Sequence, residues 1–83
     1  MIEPIDCKVR ITGGEHAGRY IGPNFAGGLV TKPEKDMPRR IEGTKYSSYP
    51  QERGANTFTK TTAAAAQAEL QQAGYASEAV KVS

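Results

Sequence analysis

Cys7 and His16 are the one cysteine and the one histidine of this 83-residue chain, and they are the residues whose types could support a thiol and imidazole pair. Such a pair works when the ring nitrogen lies within roughly 3 Å of the sulfur and takes its proton. The stretch CKVRIT, residues 7–12, alternates apolar and polar side chains as a half-buried strand does. At ~3.3 Å per residue, that strand carries the glycine-rich turn holding His16 on the order of 20 Å from Cys7. The two are therefore expected to stay apart, Cys7 as a small core side chain and His16 as an exposed turn residue.

One cysteine and one histidine cannot fill a tetrahedral metal site from a single chain, so neither a metal nor a cofactor is expected. The carboxylates are scattered: Glu3 with Asp6, and Glu34 with Asp36, stand among lysines and arginines as solvated charge. No serine occupies a nucleophile-elbow context. The glycines at 13, 14, 18, 22, 27 and 28 match neither Gly-x-Gly-x-x-Gly nor the Walker spacing, and the run precedes no helix. They read as turns and bends, and the chain as a whole does not read as an enzyme.

What survives is a basic constellation. Lys32, Lys35, Arg39, Arg40, Lys45 and Arg53, with Tyr46 and Tyr49 between them, give residues 30–60 seven basic side chains against four acidic ones, although the whole chain carries only +2. Such basic side chains attract phosphates, and tyrosines can stack on unpaired bases. The interleaved Glu34, Asp36, Glu42 and Glu52 dilute the positive field, which favours a protein partner. A nucleic-acid-binding module using residues 32–53 is the alternative.

The elements that must position these residues are few. The one helix is expected over residues 61–75, TTAAAAQAELQQAGY, with Thr61 or Thr62 capping its start and Gly74 ending it. Ala63, Ala66, Leu70 and Ala73 share a face that a sheet must cover. Residues 7–12 and 19–21 form a hairpin around a glycine-rich tip, and residues 25–31 offer a third short strand interrupted by Gly27 and Gly28. Residues 31–40 and 50–56 read as exposed loops, and residues 41–49 include a strand. An extended segment at 57–59, the helix, and an alternating AVKV at 79–82 with Val80 and Val82 inward make a β-α-β crossover, its two strands parallel.

The expectation is thus one small α+β domain over residues 1–83: an antiparallel or mixed sheet, built from an N-terminal β-hairpin and a C-terminal β-α-β unit, with a single α-helix on one face. A chain this short buries only roughly 60% of its unfolded surface, so the core is thin and homodimerisation is one way to cover what remains. No signal-peptide pattern opens the sequence, no apolar run approaches the ~18 residues of a membrane span, and a lone cysteine makes no internal disulfide. A cytoplasmic, membrane-free protein is expected. In its shortness and lack of chemical apparatus the chain resembles phage-encoded accessory proteins and inhibitors of host defence complexes, which implies action by surface recognition.

Overall fold

The computed structural model describes residues 2–24 and 37–82. The strand expected at residues 25–31, and Lys32 and Lys35 of the basic constellation, lie outside the described residues. The elements run β1 (Cys7–Ile11), β2 (Tyr20–Pro23), β3 (Arg39–Arg40), β4 (Tyr46–Tyr49), α1 (Lys60–Gln72) and β5 (Ser77–Lys81). The strands form one antiparallel sheet in the order β3-β4-β2-β1-β5, with α1 packed on it, so the α+β expectation holds.

Alternation along β1 decides what faces the helix. Val9 and Ile11 are fully buried and join Ile21, Ile41, Phe58, Ala63, Ala66 and Leu70 in one core. Cys7, two residues before Val9, packs on its rim, in keeping with its small side chain. The helix contributes mostly alanine to this core, which lets its backbone lie close to the sheet, and Leu70 is its one large buried side chain.

Both helix ends are closed by side chains or backbone. Thr59, rather than Thr61 or Thr62, is the N-cap: its side chain accepts from the Thr62 N–H, while the Thr62 hydroxyl accepts from the Thr59 N–H at 2.8 Å, a reciprocal box in which threonine takes the usual Glu or Gln place. At the other end Gly74 adopts φ 94°, and Gly74 N–H to Gln71 O with Tyr75 N–H to Leu70 O is the Schellman pattern expected of a glycine stop. No acidic residue stands in the first turn. Glu3 supplies the missing anion from the N-terminal lead-in, its carboxylate accepting from the Thr61 N–H at 3.1 Å and the Thr61 hydroxyl at 2.7 Å.

The segment entering the helix does not simply precede it. Phe58 exchanges two backbone hydrogen bonds with Cys7, and the Asn56 N–H donates to Ile21 O, so residues 56–58 are wedged into the fork where β1 and β2 separate. Phe58 and β5 are both antiparallel to β1, on its two sides. They therefore run the same way, as the crossover reading requires, with β1 between them. The face assigned to β5 needs correction: Val80 pairs with Lys8, one step out of phase with Val9, and so points away from the helix.

Candidate binding surface

Antiparallel partners project to the same side of a sheet, so the pairing register states what each face displays. On the face opposite α1, Tyr49 pairs with Tyr20, Tyr20 with Arg10, and Arg10 with Glu78. Four strands thus place Tyr49, Tyr20, Arg10 and Glu78 in one transverse row. Arg10 and Glu78 are exposed and ion-paired at 3.6 Å, and Tyr20 is half-buried. Lys8 and Val80 form the neighbouring pair on that face, and Arg40, paired with Ser47, continues it at the β3 edge.

Part of this face is roofed. The Lys8 Nζ donates to Ala55 O at 2.8 Å and Tyr20 Oη meets Glu52 Oε1 at 3.5 Å, so the 50–56 segment is tied back over the sheet. Beneath it, the Tyr49 ring lies between Gly22 and Gly54, and its hydroxyl donates to Pro23 O at 2.7 Å. Burial pushes the Tyr49 phenol above its ordinary value.

The expected constellation is consequently split. β4 alternates, so Tyr46 turns into the core and meets Phe58 edge-on, with ring centroids 6.3 Å apart, whereas Tyr49 turns to the opposite face. Arg39 pairs with Ser48 and Arg40 with Ser47, which sends these two arginines to opposite faces as well. They sit in a two-residue edge strand and not in the loop expected there, although both remain exposed. Lys45, in the turn before β4, holds its Nζ 5.6 Å from the Tyr46 ring centroid, and its N–H donates to Glu69 Oε2. Arg53 is exposed in the 50–56 segment. Arg10 and Tyr20 were missed because β1 and β2 read as a hairpin without a facing partner; only the register joins them to Tyr49.

His16 corrects the sequence reading more sharply. It is 2% exposed and lies on the helix side, its Nδ1 sharing a 2.7 Å hydrogen bond with Ser48 Oγ and its ring edge-on to Tyr75 at 5.5 Å. Glu15 Oε1 stands 3.6 Å from Nε2. A hydroxyl, an imidazole and a carboxylate in series are the parts of a nucleophile, base and orienter. Here Ser48 is 0% exposed and its oxygen also receives the Arg19 Nε–H at 2.9 Å, so no substrate atom reaches it. Arg19 donates further to the carbonyls of Ser48 and Met37, tying β4 to the approach to β3. The cluster is a buried polar brace. Burial holds the His16 imidazolium below its ordinary pKa, Glu15 partly opposes this, and the nearby Arg19 and Arg39 add to the lowering.

Among the described residues no three His, Cys, Asp or Glu side chains come together as a metal site, and no helix is long and apolar enough to cross a membrane. Comparison with protein-family models, with curated proteins and with solved structures finds no match to this chain.

Proposed function

We propose that this is a small non-enzymatic binding protein that engages a protein partner through the sheet face opposite α1. The observation that carries this reading is the row Tyr20, Arg10 and Glu78, a mixed display of a tyrosine, an arginine and a carboxylate on three paired strands beside the roofed Tyr49. Tyrosine and arginine held on a rigid scaffold lose little freedom on binding and supply much of the energy at protein interfaces. The basic edge at Arg40 and the 50–56 segment with Arg53 flank the row. Such a protein acts by occupancy, as an accessory subunit or as an inhibitor that masks part of a larger complex.

The nucleic-acid alternative loses ground on the same geometry. Tyr46 is spent in the core and Tyr49 is roofed, so the pair no longer forms a stacking platform. The deciding experiment is affinity capture with the wild type, with Arg10→Glu/Tyr20→Ala and with Arg39→Glu/Arg40→Glu, beside titration of a single-stranded oligonucleotide at two salt concentrations. Loss of the captured protein in the first variant only supports the face, by more than about 30-fold in affinity if the two residues are hot spots. Loss only in the second moves the site to the β3 edge, and oligonucleotide binding that falls steeply with salt overturns the protein reading.

A further inference from the structure

The two edges of the sheet differ. β3 is two residues long and both are exposed arginines, a short, charged edge of the kind that resists further pairing. β5, at the other end of the sheet, is five residues long. The bonds from Thr12 N–H to Ala76 O and from Val82 N–H to Asp6 O fix its phase: the backbone groups of Glu78 and Val80 turn toward β1, and those of Ser77, Ala79 and Lys81 turn outward. Among the described residues no strand pairs with that outward side. Its charges do little to guard it, because Glu78 is engaged by Arg10 and Lys81 sits at the strand's end, 3.9 Å from Asp6.

We propose that β5 is a self-association edge, on which a second copy of this chain pairs antiparallel about Ala79 and joins the two sheets into one. This register uses all three outward-facing residues, setting Ala79 against Ala79 and Ser77 against Lys81, with Glu78 opposite Val80 on the other face. No charge meets a like charge directly, whereas shifting the register to put Ser77 opposite Ala79 would set Glu78 against Glu78.

The helix position fits the same assembly. α1 lies over β1 and β5, at the side of the sheet rather than its centre. With strands ~4.8 Å apart, a helix midway between β1 and β5 is roughly 5 Å from the new dyad, so its twin lies roughly 10 Å away, within the range for packed helices. The flank that would meet the twin carries Lys60, Ala64, Gln67 and Gln71, with Lys60 its one charge. Gln67 Nε2 donates to Ser77 O at 3.5 Å, and at ~1.5 Å per helical residue against ~3.3 Å per strand residue, Ala79 is level with the helix between Lys60 and Ala64, both exposed on that flank. Lys81 of the second copy would arrive opposite Ser77, at the cleft between Gln67, Gln71 and the start of β5, where amide oxygens can receive it. Glu78 belongs both to this edge and to the row of the proposed function, but the pairing is made by backbone groups and does not rest on that reading.

Light scattering across a concentration series tests the proposal, with wild type, Ala79→Pro and Ala64→Lys. The wild type is expected to move from 8.9 kDa toward twice that mass as concentration rises. Ala79→Pro deletes only an outward N–H, a position where an edge strand tolerates proline, and Ala64→Lys adds like charge beside Lys60 on both sides of the dyad while altering an exposed site in the monomer. Each is expected to keep the wild-type circular dichroism and to weaken association more than 10-fold. A wild type that stays at 8.9 kDa to millimolar concentration, or a dimer that both folded variants leave intact, overturns it.

Discussion

The Tyr49 ring lies directly over the α-carbon of Gly22, so close that a Cβ at Gly22 would stand 2.5 Å from its Cε1 and 3.1 Å from the Ala55 α-carbon. Glycine is required there by space and not by backbone angle. Gly22→Ala is expected to cost about 1–3 kcal/mol by overpacking, measured by urea unfolding. In Gly22→Ala/Tyr49→Ala the ring is gone and the two losses should be less than additive. Additive losses would mean that the ring moves aside freely.

Thr59 is the N-cap of the helix, closing a box with Thr62. Thr59→Ala removes the acceptor for the Thr62 N–H and leaves the Thr62 hydroxyl without its side-chain partner. A loss of about 1 kcal/mol is expected, with Thr59→Ser near wild type and Thr61→Ala distinguishable because it acts through Glu3 instead.

Glu3 gives that end of the helix a pH dependence. The Thr61 hydroxyl first, and the Thr61 N–H second, hold its carboxyl below the ordinary value of 4.5. The folded state thus keeps its charge to lower pH than the unfolded chain does. The stabilisation is fully present above about pH 4.5 and disappears as pH falls through the lowered folded value. Glu3→Gln should lower the melting temperature slightly at pH 7 and show no difference from wild type at pH 2.

His16 acts over a different window. Its folded pKa lies below the ordinary 6.5, chiefly because the ring is buried, so below that pH the unfolded chain takes up a proton that the folded one resists. Stability is complete above about pH 6.5 and declines as pH falls toward the lowered value, with a slope of up to about 1.4 kcal/mol per pH unit. His16→Gln keeps a neutral hydrogen-bonding group beside Ser48 and should flatten the profile between pH 7.5 and 5.5. An unchanged slope in that variant would assign the decline to another group.

Much of the fold was legible because local and global signals agree in its helix and first hairpin. The alanines at 63 and 66, Leu70 and Gly74 specify the buried face and the stop, and the alternation of residues 7–12 specifies β1 and its inward side. The misses share a physical cause, which is that pairing partners far along the chain decide orientation. AVKV alternates equally well in either phase, and only the Lys8 and Val80 register turns Val80 away from the helix. His16 looked like a polar turn residue because nothing nearby in sequence announces Ser48 or Tyr75 as its neighbours. Tyr46 and Tyr49 stood together as a binding pair until the strand's period of two separated them. The N-cap lies two or three residues before the expected Thr61 or Thr62 because three threonines, Thr59, Thr61 and Thr62, compete for the role.

β1 is held on one side by β2, a few residues away along the chain, and on the other by β5, whose Ser77–Lys81 pair with Ile11–Cys7. The hairpin can close on the microsecond scale, but the β5 side requires a loop of more than sixty residues to be brought together before its ladder begins to repay the entropy. Long sequence separation of this kind slows folding, so β5 docking is expected as the late step and the β1 hairpin as the early one. A destabilising change in β5, such as Val80→Gly, should therefore appear mostly in the unfolding rate, whereas Ile11→Val should slow folding itself.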